Sequence, residues 1–514
     1  MFLQRGILRI SSGRKSCLHK DLWTYGPMVL LTQRAKKLNF SWSIPIKSPM
    51  SDWIPGTLEL TSKVRYGITS RGVPIFRFIP YGKLPPLAVS CSQRNLFSNI
   101  HAIVSATEIP ESHGIQKGIL IQNLGEPTDA SELQVLLANY AYDCSKDLRP
   151  SKGATQVTTL NKPDLTRSVL EGFTFNIDPP GCIDVDDSFT VKQVGQDEWQ
   201  ISINIADVAS LIDEGSALDI QARRRATSFY SPTGECLVPM FPSEVVEAAS
   251  LGSDEPRPTL SLQFIYCYEN GLHSFKWTET LVKRSRSFTY DEADAALHNY
   301  TELQVIKDIT CGANSHEWVE RLMILYNQKA GELLKARGLG ILRSHSAPAA
   351  EELAQLVAID PSFGILAYES ATFCLPTEES KHFGLAADAY AYASSPIRRY
   401  CDLVNQRALK GIASSQDQDL VTHLNRRQKQ AKAFSRDFFF MTELSKSKDV
   451  EGTVINSSEG KGKGKVKIYV PFWKRTIKVR LLDSNPAVGT KVSIEWYDDR
   501  SKPNWKERIV FRIR

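Results

Sequence analysis

The residues best equipped for chemistry are Asp178, Asp184, Asp186 and Asp187, four carboxylates within ten positions. Read as a strand, the period of two puts Asp184 and Asp186 on one face and Ile183 and Val185 on the other. Pro179, Pro180 and Gly181 predict a turn that folds Asp178 back toward the same spot. Like charges so close repel strongly in a partly dry cleft and demand protons or cations. Hard oxygen donors in this number suit Mg²⁺ or Mn²⁺ rather than zinc. A solvated acidic turn is the plain alternative, and the Pro-Pro-Gly hinge weighs against it.

A second group lies far downstream, in Ser394-Ser395-Pro396-Ile397-Arg398-Arg399-Tyr400. Ser394 or Ser395 caps a helix whose first residue is Pro396, which needs no N–H there. A helix N-terminus beside two arginines is suited to phosphate. Arg398 and Arg399 point about 100° apart on such a helix, so they serve different oxygens. Tyr230, expected on a loop after Arg223-Arg224-Arg225, is a candidate platform for a base; a buried structural tyrosine fits the same spacing.

These groups need a scaffold. Residues 163–450 read as one long mixed α/β unit, with a strand at Trp199–Ala206, a core-facing helix at Glu317–Lys335 and a basic helix at Asn425–Lys448. Residues 51–127 read as short strands broken by Gly and Pro, the pattern of a small OB or cold-shock barrel. There Arg71, Arg77 and Phe76 offer an RNA-facing surface, with core packing the competing role for the aromatic. Residues 128–162 hold a helix and a polar linker. Residues 451–514 carry five strands in which Lys and Arg alternate with apolar residues, so a second OB-like barrel with a basic face is expected. The fold class is α/β and multidomain, with barrels on both flanks.

Charge follows the same division. Residues 1–50 hold nine basic and one acidic residue, and residues 453–514 hold fifteen and six. The remainder is acidic, with 39 basic against 50 acidic groups, so the ends would grip a polyanion around a body that needs cations. The first fifty residues, Arg- and Ser-rich, have the composition of a mitochondrial transit peptide; a basic arm touching RNA has the same one, and the chain is then cytoplasmic or nuclear. Hydrophobic content of 42% marks a globular chain, no apolar run is long enough for a membrane span, and nine dispersed cysteines argue against a disulfide framework or zinc ribbon.

Together, "IDPPGCIDVDDS", "RATSFYSPTGECLVPMFP", "SLGSDEPRPTLSL", "ILRSHSAP" and "HFGLAADAYAYASSPIRRYCDL" resemble the RNB/ribonuclease II family of exoribonucleases. The first is most similar to the branch containing the catalytic subunit of the eukaryotic RNA exosome. The resemblance covers about residues 163–450, and "IPYGKLPPLAV" extends it to a cold-shock domain. It implies processive 3′→5′ hydrolysis of single-stranded RNA to nucleoside 5′-monophosphates with Mg²⁺. Asp178, Asp184, Asp186 and Asp187 would bind metal, Asp186 and Arg398 would act in catalysis, and Tyr230, Arg398 and Arg399 would hold substrate. The partners implied are single-stranded RNA and an RNA helicase or degradation complex, with no membrane and a monomer by itself. The chain departs from the family at Ser394, where Thr is usual, at Ala393, where a bulky aromatic is usual, and at Lys432 or Ala433, where many relatives carry an acid. The competing readings are an RNB fold that binds RNA without cutting it and, more remotely, a metal phosphoesterase acting on DNA.

Overall fold

Alternating apolar and polar residues build the first barrel. A computed structural model describes residues 53–110, 115–141, 160–161, 164–412, 417–447, 449–458, 464–480, 486–499 and 502–514. The basic segment 1–50 and most of the linker lie outside these residues. Strands β1 (Trp53–Leu58), β2 (Ile75–Pro80), β3 (Leu87–Ser90), β4 (Ile100–Pro110) and β5 (Gln116–Gly125) close in the order β1-β2-β3-β5-β4, with β3 parallel to β5. Phe76 and Phe78 fill the interior. The RNA-facing role expected for Phe76 therefore fails: its ring is fully buried, and Arg77 is paired to Glu59 at 2.6 Å. Helix α1 (Asp129–Tyr140), opened by a Thr128/Ser131 capping box, packs along this barrel.

The central sheet runs β12-β11-β8-β7-β6-β13, from β6 (Phe173–Asp178), β7 (Asp187–Gln193), β8 (Glu198–Ala206), β11 (Arg257–Cys267), β12 (Gly271–Val282) and β13 (Arg286–Thr289). All its neighbours are antiparallel except β13 and β6. Period two sorts its side chains cleanly. Phe189, Ile203 and Leu262 pack with Trp318, Leu322 and Tyr326 of the long helix α7 (Ser315–Arg337), and with α5 (Tyr290–Ala296) and α6 (Thr301–Thr310). The opposite face is a buried ladder of polar side chains. Thr174 meets Thr190, Thr190 accepts from Asn204, and Asn204 accepts from Ser261, at 2.8 to 2.9 Å. Each finds a partner, which is what permits burial.

Between β8 and β11 lie the short α2 (Val208–Leu211), α3 (Ala217–Arg225), the β9 (Phe229–Tyr230) and β10 (Cys236–Val238) pair, and α4 (Ser243–Ala249). After α7 come β14 (Leu342–Ser344), α8 (Ala350–Ile359) and β15 (Thr372–Cys374), then α9 (Tyr400–Leu409) and α10 (Gln418–Leu444). Helix α9, buried along its whole length, shares a second core with α3, α4 and α10. The last unit orders β16 (Asp449–Ser458), β17 (Lys465–Val470), β18 (Arg475–Arg480), β19 (Lys491–Asp498) and β20 (Ile509–Ile513) as β18-β17-β16-β19-β20. Val466, Ile468 and Val470 point into its core, Lys467 is exposed, and Lys467 stands directly opposite Lys478.

Residues 503–508, including helix α11 (Trp505–Arg508), tie the two flanking units together. Thr57 donates to the Pro503 carbonyl at 2.9 Å, Trp505 Nε1 donates to the Tyr81 hydroxyl at 2.8 Å, and Arg508 pairs with the buried Glu132 at 2.8 Å. Among the described residues, no helix is long and apolar enough to cross a membrane.

Candidate active site

The acidic cluster sits on the connection between two central strands. Asp178 ends β6, Asp187 begins β7, and residues 182–186 between them are irregular rather than a strand. The expected alternation therefore fails: Ile183 is 68% exposed, whereas both Val185 and Asp186 are buried. The predicted turn does form. The Cys182 N–H donates to the Pro179 carbonyl at 3.2 Å, and Gly181 takes φ = +78°, the left-handed geometry that suits glycine at that corner. Ser250 Oγ accepts from the Val185 N–H and the Asp186 carbonyl accepts from Ala206, which fixes the irregular segment against its surroundings.

Three of the four carboxylates have a hydrogen-bonding neighbour of their own. Asn176 Nδ2 donates to Asp178 at 2.8 Å. The Tyr230 hydroxyl donates to Asp184, and Cys182 Sγ lies 3.7 Å from the same group. Asp186 accepts from the Ile397 N–H at 2.9 Å and from Arg398 Nε at 3.1 Å, across more than two hundred residues of chain. Tyr230 lies on the short β9 strand rather than in a loop. The Ser228 N–H donates to the Arg398 carbonyl, so Tyr230 and Arg398 are stitched to the same frame.

The arginine segment differs from its expected form. Helix α9 begins at Tyr400, not at Pro396. Asp402 folds back to accept from the Ser395 N–H at 2.8 Å and from Arg399 at 2.6 Å, holding residues 395–399 as a turn ahead of the helix. Free helical N–H groups therefore do not face the acids; a guanidinium does. Arg398 Nη2 also donates to Ser395 Oγ at 3.0 Å. Arg399 turns away from the acids, to Asp402 and over the Tyr392 ring at 4.2 Å. The two arginines serve different partners, through turn geometry rather than helical angle.

Electrostatics set the state of the cluster. Burial pushes the Asp186 carboxyl up to about 7, with the Arg398 charge and the Ile397 N–H pulling the other way. Asp187 is held well above the usual carboxylate range by burial and by the charges of Asp178 and Asp186. Asp178 is raised by burial, with Asp184 adding to the effect. Burial works against the charge of Arg398, yet Asp186, Tyr230 and Asp184 raise its pKa above the ordinary value. Its side chain keeps 42% of its surface accessible, so it faces solvent from inside a strongly desolvated cleft.

Two further residues join the site. Tyr290, first in α5, lies close enough to Asp187 and Asp178 for their charges to raise its phenol, after burial, and its ring stacks on His316 at 3.6 Å. Asn176 is buried and orients Asp178, while its own Oδ1 has no donor. Asn176 stands two positions before Asp178 on the same face of β6, whereas Tyr290 reaches the acids because β13 pairs with β6, Thr289 standing opposite Asp178.

Among the described residues, no group of three or more His, Cys, Asp or Glu side chains forms a ready-made metal cage. The donor chemistry nevertheless fits a hard divalent cation. Burial and mutual repulsion drive three carboxyls toward their neutral forms, which an oxygen-preferring cation would reverse, and the orphaned Asn176 Oδ1 is one more oxygen beside them.

Residues 164–311 and 365–415 match the model of the RNB domain. The chain is 23% identical over 532 residues to a probable exosome complex exonuclease RRP44 of Caenorhabditis elegans, covering 83% of this chain and 55% of that protein. It is 25% identical over 427 residues to exoribonuclease 2 of Pectobacterium atrosepticum, covering 66% and 65%. It thus spans roughly half to two thirds of the length of these relatives. In fold it is similar to the apo form of Mycoplasma genitalium RNase R, with a TM-score of 0.69 at 14% identity over 90% of both chains. It is similar also to yeast Ssd1, a pseudonuclease, with a TM-score of 0.61 at 16% identity over 84% of this chain and 66% of that one. The acids and the arginine thus meet inside the part of the chain that matches the RNB domain.

Proposed function

We propose that this chain is a 3′→5′ exoribonuclease that hydrolyses single-stranded RNA processively to nucleoside 5′-monophosphates. The observation that carries the reading is the meeting of Arg398 with Asp186 in a cleft where four carboxylates crowd together. A mere scaffold has no need for such mutually destabilising groups. The fold relative Mycoplasma genitalium RNase R has been solved in complex with single-stranded RNA, which supports the same substrate class here.

Asp178, Asp184, Asp186 and Asp187 would hold Mg²⁺ or Mn²⁺. Bound in pairs, such ions activate water and neutralise charge on a phosphodiester undergoing in-line displacement. The chain's own groups do the rest. With Nε on Asp186 and Nη2 on Ser395, the Arg398 fork is fixed and its remaining Nη1 is left for a phosphate oxygen, where charge builds in the transition state. Asp186 thus positions Arg398 as well as facing the metal. Tyr230, anchored by its hydroxyl to Asp184, presents its ring to the 3′-terminal base. Arg399 secures the turn that carries Arg398 rather than touching substrate. An RNA helicase or degradation complex would present structured RNA, and segment 1–50 would carry the chain to mitochondria, which imaging of a reporter fusion tests.

The alternative is an RNB fold that binds RNA without cutting it; the likeness in fold to yeast Ssd1, a pseudonuclease, is the observation in its favour. One assay separates the readings. A 5′-labelled RNA oligonucleotide and its DNA counterpart are incubated with protein and Mg²⁺. Stepwise shortening of RNA alone is expected, abolished by EDTA and by Asp186→Asn. Intact RNA that remains bound would favour the alternative, and degraded DNA would overturn the substrate class.

A further inference from the structure

Behind the arginine turn lies a group of cations that the proposed chemistry does not use. Arg343 is 3% exposed and has no carboxylate partner among the described residues. Its guanidinium donates to Gln428 Oε1 at 2.8 Å and to the Ala371 carbonyl at 2.9 Å, and its Nε has no acceptor. It lies over the rings of Phe373 and Tyr392, at 4.7 and 4.5 Å, and Tyr392 is the ring that Arg399 also covers. The buried charge is held in place by stacking but left without an opposite charge.

Helix α10 continues from that point. Gln428, Lys432 and Arg436 are four residues apart, a row about 6 Å per step along the helix. Lys432 and Arg436 are exposed, and no acid pairs with either among the described residues. Burial and the positive charges of Arg343 and Arg436 lower the Lys432 amine below its ordinary value, which places the three cations within one another's field. The next residue, Asp437, is bound to Arg475 and Lys506, so the row ends against the unit whose surface carries Lys467 opposite Lys478. Like charges so arranged repel unless an anion lies along them.

We infer that Lys432 and Arg436, backed by the buried Arg343, form a backbone track that takes successive phosphates of single-stranded RNA between the Arg398 turn and the last β-sheet. The inference deepens the proposed reading and rests on it. The track reads no bases: its contacts are point charges on a helix row, suited to phosphates of any sequence.

The test is the salt dependence of RNA binding. Affinity of the full chain for a labelled single-stranded oligonucleotide is measured in EDTA from low to moderate salt. Each phosphate contact to a single strand contributes about 0.7 to the slope of log K against log[salt], so Lys432→Gln with Arg436→Gln should flatten it by about 1.4 and weaken binding roughly tenfold. Lys307→Gln, an exposed lysine on α6, should leave the slope alone. The reversal Lys432→Glu with Arg436→Glu should weaken binding further while the thermal midpoint stays near that of the parent. A parent that binds RNA with a slope the Gln pair does not change overturns the track alone. A parent that shows no salt-dependent RNA binding overturns the track and the proposed function together.

Discussion

Replacing Asp186 by Asn tests the electrostatic account most directly. Asp186 is 3% exposed and its carboxyl is pushed up to about 7, against about 3.9 in an unfolded chain. Because the folded value is the higher one, the native state binds the extra proton between those limits. The associated stability is therefore fully present below about pH 4 and is lost as pH rises through about 7. Roughly three pH units at 1.4 kcal/mol each give about 4 kcal/mol across that window. Asn does not titrate and is nearly isosteric. In EDTA, Asp186→Asn should match the parent near pH 4.5 and exceed it by about 2–4 kcal/mol at pH 8. Urea unfolding at the two pH values measures this. Added Mg²⁺ at pH 8 should then stabilise the parent more than the variant, since the variant has lost one carboxylate. Parallel pH profiles for the two proteins would refute the idea that burial of this charge governs the site.

Other outcomes follow from neighbouring contacts. Tyr230→Phe removes the hydrogen bond to Asp184 but keeps the ring, so it should slow RNA cleavage without changing the final product length, whereas Tyr230→Ala should change that length; gel analysis of end products distinguishes them. Arg427 is fully buried in α10 and donates to the carbonyls of Tyr140, Ala141 and Arg225. Arg427→Met strands those acceptors, and a loss of about 2–5 kcal/mol is expected in denaturant titration. Gly331 lets α7 approach the Tyr390 backbone, where a Cβ would lie 2.7 Å from main-chain atoms. Gly331→Ala should cost about 1–3 kcal/mol and lower the thermal midpoint.

Much of the architecture was legible because it is written in period two. All five strands of the last unit were anticipated from alternating charge and apolar residues, and Val466 and Ile468 do turn inward while Lys467 turns out. The turn at Pro179–Cys182 was legible for a similar reason: Pro and Gly fix backbone angles locally. What escaped depends on partners distant in the chain. Pro396 looked like a helix start, but the Asp402 carboxylate captures the Ser395 N–H and delays the helix to Tyr400. Arg427 falls within the expected basic helix, yet the carbonyls of Tyr140 and Ala141 at the end of α1 draw it inside. Ala393, smaller than the family's usual aromatic, leaves no looseness that exposure reveals; it is fully buried and its N–H donates to Asn327. Tyr290 carries no local pattern, and only the pairing of β13 with β6 recruits it.

The attachment of residues 503–508 to the first barrel bears on biogenesis. Thr57 and Tyr81 find their partners more than four hundred residues later in the chain. A ribosome emits the first barrel's strands long before it emits the side chains that seat against them. That barrel can close early, since its ladder is local, but its docked face stays wet until residues 503–508 have been made. The two flanking units thus join only after the central sheet between them in sequence has been made.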